Sequence, residues 1–478
     1  MAHSKPLVLD VDGTLLKTDL SYESFWSALS QAPLATLAAC FAHLGKPAPL
    51  KRALASLGPL ETERLPVNPV VAEIAEAALE GGSAVVLCTS GPVEAVAELA
   101  AVNGLGDQVF GSDGAVNLKG KAKAAVLIEA FGRDGYHFAG SRGGDRPVFE
   151  AADGVILVGR HGALAEDLKQ EGKEVSEIAS GWRGLDLFKT LRLHHWPKSL
   201  LLLLPLLSAQ IWPQESLLSL AGSMLVFALA SSFAYLINDL LDLSPDRQHP
   251  RKQKRAFASG AVPIKIGMRS ATILLIAALC GAAALGWQFA VVLVSFVALS
   301  LAYGLGLKRL AWVDLFVLAA LNLLRVIGGA VAAGLALSTH LLIWLLPIFV
   351  MLAASKRLSE FGELGEGASL PGRGYHAEDA QNLRNFAWLG AVAALIAFFA
   401  YSFTANGLAL YPEQWMLWLA LLPMALWLRR IITLGTTAQH ERDPLLTALV
   451  DLPALALMLI TFGTVYGAAG IWQRLFGV

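Results

Sequence analysis

Charge is scarce in this 478-residue chain. Only 16% of its residues are Asp, Glu, Lys or Arg and 55% are hydrophobic, whereas soluble domains carry roughly 25% charged residues. With a mean hydropathy of +0.56, most of the chain is not built to face water. Cysteine is scarcer still. Cys40, Cys88 and Cys280 lie far apart with no CxxC spacing, which argues against a disulfide framework or thiolate metal site and fits a reducing compartment. The opening MAHSKPLVLDVDGTLL has no apolar core of signal-peptide length before its charged run, so no signal peptide or cleaved transit sequence is expected. The formal net charge of −1 hides an imbalance: residues 1–185 hold 23 acids and 16 bases, residues 186–478 hold 15 acids and 21 bases. An acidic portion is followed by a basic, very apolar one. This excludes a single water-soluble domain, a disordered chain and a strongly basic nucleic-acid binder.

Residues 5–180 alternate short β-rich runs (PLVLDVD, SAVVLCTS, DQVFGSD, YHFAGS, GVILVG) with helical patterns such as NPVVAEIAEAALEGG and GKAKAAVLIEAFG. That alternation predicts an α/β, Rossmann-like domain with a mostly parallel sheet over residues 1–180. An Ala-, Leu- and Phe-rich helical insert follows the first strand, at about 20–60. Pro33, His43 and Lys46 interrupt it, so it reads as a small cap over an active site, free in water or resting against the membrane, and not as a span.

From 186 onward an all-α membrane domain is expected. A spanning helix needs ~20 apolar residues, and nine candidates stand at about 199–215, 217–239, 267–286, 288–306, 313–334, 338–354, 386–405, 412–429 and 449–472. Gln210, Pro213 and Gln214 crowd the end of the first. Lys and Arg are biased toward cytoplasmic loops, and here they alternate strictly. Arg183, Lys189, Arg192 and Lys198 precede the first span; seven bases lie between Arg247 and Arg269; Lys308 and Arg309, then Lys356, Arg357, Arg373 and Arg384, then Arg429, Arg430 and Arg442 occupy every second loop. The intervening loops, including AQIWPQES and FTANGLALYPEQ, have none. This predicts a multi-pass protein of a bacterial-type cytoplasmic membrane, its N-terminal domain cytoplasmic and its C-terminus, with Arg474, outside.

The sharpest constellation is Asn238-Asp239-Leu-Leu-Asp242-Leu-Ser-Pro-Asp246, at the cytoplasmic end of the second span. On a helix the carboxylates at i, i+3 and i+7 share one face. Such carboxylates repel unless a cation joins them, and Mg²⁺ prefers oxygen ligands and bridges them to substrate phosphates. Arg247, Arg251, Lys252, Lys254 and Arg255 follow at once, cationic partners for a diphosphate. Arg325 interrupts LNLLRVIGGA inside the fifth span, where an ionisable group is a functional candidate. His194, His195 and His376 read as interfacial hydrogen-bonding groups.

NDLLDLSPDRQHPRKQKRAFASG closely resembles the NDxxDxxxD motif and following R-x-F-x-SG stretch of the UbiA superfamily of intramembrane prenyltransferases. The resemblance covers 186–478 and implies that Asp239, Asp242 and Asp246, with Asn238 beside them, hold Mg²⁺ on a donor diphosphate. Aromatic prenyltransferases of the superfamily carry a second Asp-rich motif in the sixth-to-seventh loop, which here reads SKRLSEFGELGEGASLPGRGYHAEDAQNLR with no paired Asp motif. With LRLHHWPKS before the first span, the loop is similar to the polyprenyl-phosphate phosphoribosyltransferase branch, apart from Ser199 where that branch usually has Asn. The resemblance implies transfer of 5-phosphoribose from phosphoribosyl diphosphate to a polyprenyl phosphate such as decaprenyl phosphate. An anionic lipid phosphate needs cations for positioning more than a base, and Arg192, Lys198, Lys308, Arg325, Lys356 and Arg357 are available. The alternatives are a prenyltransferase moving a polyprenyl group from its diphosphate to an aromatic acceptor, and a non-enzymatic membrane scaffold or lipid-binding protein with a decayed N-terminal domain.

In the soluble half Asp10-Val11-Asp12-Gly13-Thr14 follows the first strand. DxDGT resembles the first motif of the haloacid dehalogenase superfamily, over residues 5–180. The resemblance implies Asp10 as phosphate-accepting nucleophile, Asp12 as general acid/base and Thr14 as phosphate ligand. It also implies Thr89 of VVLCTS on the phosphate and Lys123 of GKAK neutralising the transition state. The fourth motif reads Gly140-Ser141-Arg142-Gly143-Gly144-Asp145, with Ser141 in place of an Asp; a Mg²⁺ site of Asp10, the Asp12 carbonyl and Asp145 is what remains. A tethered phosphatase would remove the 5-phosphate of a phosphoribosyl lipid at high effective concentration, leaving a precursor of arabinose-type donors for the cell envelope.

Overall fold

The computed structural model describes residues 5–106, 108–112, 118–210, 214–364, 369–436 and 443–470. They fall into two compact units, Met1–Leu191 with Tyr235–Ala271, and Arg192–Ala234 with Thr272–Val478. The segment carrying the acidic motif thus belongs with the N-terminal residues.

The N-terminal part of the first unit is a six-stranded sheet in the order β3-β2-β1-β4-β5-β6. The strands are β1 (Leu7–Asp10), β2 (Val85–Pro92), β3 (Val109–Ser112), β4 (His137–Gly140), β5 (Gly154–Val158) and β6 (Glu174–Ile178). All neighbours pair in parallel. The five apolar runs of the sequence supply β1–β5, while Asp107 and Asp113 lie outside the described residues. The sixth strand, EVSEI, carries too little apolar pattern to announce itself. β1 is buried on both faces. Leu7, Leu9 and Val11 enter one core with Val85, Leu87 and Ala139; Val8 enters the other with Val86, Phe138 and Phe149. That is the two-residue period of a strand covered on both sides. The strand order reverses direction between β1 and β4, and ligand crevices of open parallel sheets lie at the carboxyl ends beside such a switch. Asp10 ends β1 there.

The insert forms three helices, α1 (Leu20–Gln31), α2 (Pro33–Ala42) and α3 (Pro47–Leu57). Asp19 caps α1, accepting from the Ser21 and Tyr22 amides. Pro opens both α2 and α3, a position where its missing N–H costs nothing. At ten residues, α2 is too short to span.

The C-terminal half has seven helices long and apolar enough to cross a membrane among the described residues: Leu217–Leu241, Ile264–Leu285, Trp287–Leu305, Val313–Ala332, Thr339–Gly362, Asp379–Tyr401 and Gln414–Thr436. An eighth is the pair Pro444–Val450 and Leu452–Ala468, bent by 85°. The expected nine straight spans are therefore corrected at both ends. Residues expected in the first span form tight turns over Leu193–Leu203, with Pro197 inside, and a short helix, Leu204–Ala209. Pro interrupts the ladder, and Gln210 ends it at φ 55°. The last span breaks at Asp451, whose side chain caps the second helix at the Ala454 amide, 3.0 Å away. Expected segments over 211–213 and 471–472, and the loop residue Arg442 and terminal Arg474, lie outside the described residues. In the second unit close packing needs glycine: a Cβ on Gly329 would stand 2.0 Å from the Leu202 carbonyl oxygen.

Candidate functional site

The acidic segment is built by helix continuation. Asn238 and Asp239 lie in the last turn of Gln214–Leu241. The Asp242 amide still donates to the Asn238 carbonyl at 3.0 Å, and that of Asp246 to the Asp242 carbonyl at 2.8 Å. The expected shared face survives the junction. Asp239 and Asp246 are buried, 5% and 3% exposed, and the half-buried Asp242 stands at the N-terminal boundary of the next helix, Leu243–Gln248, without a side-chain capping bond. Arg255 joins two of the three acids, its Nη1 lying 3.2 Å from Asp239 Oδ1 and 2.8 Å from Asp246 Oδ2. Burial raises the Asp246 carboxyl to about 6, against the pull of Arg255. The buried Oδ1 of Asn238 has no hydrogen-bond partner, although a buried acceptor normally has one.

The basic residues after the motif divide. Lys252 and Lys254 form a short exposed turn with Gln253. Arg247 does not face the acids. It forms a fork on Glu23 of α1, with Nη2 2.6 Å from Oε1 and Nη1 3.1 Å from Oε2, and both side chains are buried. Its Nε donates to the Ala258 carbonyl at 3.1 Å. Ser244 Oγ and Gln248 Nε2 donate to Glu61 at 2.6 and 3.0 Å. Gly260, at φ 69°, lies so close to Lys17 that a Cβ would sit 2.5 Å from the lysine Cβ. The loop between two spans is thus pinned at three points to the N-terminal domain. Glu23→Ala leaves the Arg247 charge without its carboxylate, a loss of about 3–5 kcal/mol for a buried pair. The expected result is faster tryptic cleavage within Arg251–Arg255, restored toward wild type in the Glu23→Arg/Arg247→Glu double variant.

In the N-terminal domain the four motif segments converge at the carboxyl ends of β1, β2 and β4. Lys123 Nζ, in the first turn of Lys121–Phe131, lies 2.8 Å from Asp10 Oδ1 and 3.2 Å from Asp145 Oδ2. Thr14 Oγ1 donates to Asp10 Oδ2 at 3.5 Å. Thr89 Oγ1 and the Leu20 amide each donate to Asp12 at 2.8 Å, and Ser141 Oγ lies 3.4 Å from the Asp12 carbonyl oxygen. Arg142 bonds Asp19 at 2.6 Å and stands 3.8 Å from Asp12. Burial, helped by Asp19, raises Asp12 to about 7, against the pull of Arg142. Burial also raises Asp10, opposed by Lys123.

In the second unit Lys198 Nζ bonds Asp443 Oδ2 at 2.6 Å, and Lys356 Nζ lies 3.7 Å from the same oxygen. Burial would raise Asp443, but the two lysines hold it below the usual carboxylate range. Burial and the Lys198 charge depress His195, whose ring packs on His194 at 4.3 Å. Arg192 precedes this turn, and Lys308 is buried in the turn Leu307–Arg309. Arg325 donates to Ser231 Oγ at 3.0 Å and lies 4.7 Å over the Phe296 ring. Arg357, expected to face a lipid phosphate, is wholly buried instead. Its three nitrogens reach Asp314, Glu360 and Tyr303, each at 2.7 Å. Tyr375 donates to the other Asp314 oxygen, and Arg373 to Tyr303 at 2.7 Å. The sequence reading missed Glu23, Asp443 and Asp314, because no local spacing signals a partner 224, 245 or 43 residues away.

In both places where the sequence suggested Mg²⁺, a side-chain cation joins the carboxylates, and among the described residues no three His, Cys, Asp or Glu side chains gather as a metal site. The two places differ in fit. The Asp239–Asp246 cluster offers oxygen ligands and an orphaned buried Asn238 oxygen, a donor set suited to Mg²⁺. In the N-terminal site Ser141 stands where a charged ligand is needed and Lys123 engages both remaining carboxylates, so the residues present do not fit the ion.

Residues 200–358 match the UbiA prenyltransferase family. The chain is 32% identical to the uncharacterized protein y4nM of Sinorhizobium fredii, over 93% of this chain and 87% of that protein. It is 32% identical to decaprenyl-phosphate phosphoribosyltransferase of Mycobacterium tuberculosis, over 48% of this chain and 76% of the enzyme. Among solved structures it is similar to a UbiA homolog from Archaeoglobus fulgidus bound to GPP and Mg²⁺, at 15% identity and a TM-score of 0.46, over 59% of this chain and 99% of that one.

Proposed function

We propose a reaction from one premise: this chain belongs to the UbiA prenyltransferase family. Its membrane half transfers a 5-phosphoribosyl group from phosphoribosyl diphosphate to a polyprenyl phosphate of the decaprenyl phosphate type. The C1–O bond to diphosphate breaks, a C1–O bond to the lipid phosphate forms, and diphosphate leaves. The observation that carries this reading is the buried Asp239–Asp246 pair with the unpartnered Asn238 oxygen. Similarity to an enzyme named for this transfer supports the choice of substrates. Asn238, Asp239, Asp242 and Asp246 would hold Mg²⁺, which neutralises a leaving diphosphate when bound. Arg255, Lys252 and Lys254 supply cations for the same diphosphate. Lys198 and Lys356, sharing Asp443, supply cations for the acceptor phosphate, with Arg192, Lys308 and Arg325 as further members of the basic set. Arg357 has no such role, since its donors are engaged elsewhere.

The N-terminal domain acts next, removing the 5-phosphate. Asp10 attacks phosphorus, Asp12 protonates the departing 5-oxygen, and water then releases phosphate from Asp10. Thr14, Thr89 and Lys123 hold the phosphoryl oxygens. Convergence of these residues beside the switch of the sheet supports this step. The alternation of basic loops supports a topology with both sites cytoplasmic and the C-terminus outside.

The test uses membranes containing the full chain, phosphoribosyl diphosphate labelled in the ribose, Mg²⁺ and decaprenyl phosphate. Label is expected in the lipid phase, and the Asp10→Asn product is expected to keep the 5-phosphate that wild type removes. Turnover only of polyprenyl diphosphate with an aromatic acceptor overturns the transferase assignment. A wild-type product that keeps its 5-phosphate overturns the second step alone.

A further inference from the structure

The cap carries an apolar surface that neither site uses. Every residue of α2 is uncharged, in the sequence PLATLAACFA, and of these only Thr36 is buried. Leu34, Leu37 and Phe41, at i, i+3 and i+7, form one stripe that Leu44 extends, with exposures of 82%, 47%, 76% and 77%. Four large apolar side chains in one exposed row are unusual for a water-facing domain and mark an interaction surface.

The surroundings of the row indicate its occupant. Between Glu23 and Glu61 the chain has no acidic residue, although residues 1–185 as a whole are acidic, and the exposed Lys46 and Arg52 follow the row. The same unit contains Tyr235–Ala271, and so the ends of the spans Leu217–Leu241 and Ile264–Leu285. α1, which precedes α2 directly, holds the connection between those spans through Glu23 and Arg247. A second exposed apolar group, Trp182, Leu185 and Phe188, lies in the same unit beside the exposed Lys189. An apolar row followed by basic residues, on a unit already fixed to the membrane boundary, matches the chemistry of an interfacial helix on an anionic lipid surface.

We infer that α2 is a membrane-surface anchor, its Leu34–Leu37–Phe41–Leu44 row seated among anionic phospholipids with Lys46 and Arg52 at the headgroups. On the reading proposed above, the anchor would keep the Asp10 site facing lipid-borne phosphate.

The test places the photo-cross-linker p-benzoylphenylalanine at Phe41 of the full chain, in nanodiscs containing phosphatidylglycerol. The same group at Val291, an exposed position of the spanning helix Trp287–Leu305, is the positive control. Phospholipid adducts are expected at both positions by mass spectrometry. Lys46→Ala/Arg52→Ala is expected to lower the adduct yield at Phe41 several-fold and leave that at Val291 unchanged. A protein–protein adduct at Phe41, which would mean a second copy covers the row, overturns the assignment. So does no adduct at Phe41 while Val291 reacts. Cross-linking reads the contact alone, whatever the N-terminal site does.

Discussion

Asp239→Asn is expected to lower transfer of labelled phosphoribose into lipid about 10²–10³-fold, the scale seen when one group that stabilises developing charge is removed. The carboxylate is 5% exposed and lies 3.2 Å from Arg255. On the proposed function its charge would help hold a cation between the end of one helix and the start of the next. An amide oxygen in the same place still accepts the Arg255 hydrogen bond, and Asp246 still balances the guanidinium at 2.8 Å. Folding should therefore survive the substitution. A thermal melt close to wild type, with transfer near background, is the predicted pair of results. Transfer within about threefold of wild type, well below the scale of a lost transition-state contact, would exclude Asp239 from the reaction.

Arg357→Met is expected to act on stability. The guanidinium is 0% exposed, as is Asp314 against it, and it ties together three chain segments through Asp314, Tyr303 and Glu360. Methionine fills much of the volume and leaves the Asp314 charge buried without its cation, a change that costs about 3–5 kcal/mol. A markedly lower melting temperature in detergent and a lower yield from membranes should follow. Arg357→Met/Asp314→Asn removes the fully buried pair and leaves only the partly exposed Glu360 without its partner, so it is expected to recover part of the loss, because a lone fully buried ion is the costliest of these states. Arg357→Lys is expected to rescue poorly, since an ammonium is a point charge that cannot reproduce the fork. Equal melting of the wild type and the single variant would show that the network is not structural.

Five of the six strands were legible because each is an apolar run closed by turn residues, and the spans because hydrocarbon thickness demands long apolar runs; the sixth strand, EVSEI, is not such a run. The first and last spans were less so. Pro197, Pro205 and Asp451 interrupt apolar runs that hydropathy averages over. The Asp239–Asp242–Asp246 spacing already implied one helix face, and the structure places Asp239 and Asp246 together on Arg255. Charge counting treated every basic residue near the motif as a ligand cation. Arg247 went to Glu23 and Arg357 to Asp314, because a buried guanidinium takes the carboxylate that packing brings within reach.

By itself the sequence determined the two-part architecture, the place of five of the six strands and of the long apolar helices, and the motif that resembles the family's. Those are local properties, set by periodicity, apolar length and the spacing of like residues. Only the tertiary structure decided that the loop between two spans folds with the N-terminal domain, and that Lys198 and Lys356 share Asp443. It also decided that the apolar row of α2 stays uncovered. Which charges meet depends on where distant segments pack. Hydrophobic burial is non-directional and settles that an element is covered, not which ion pair forms beneath it.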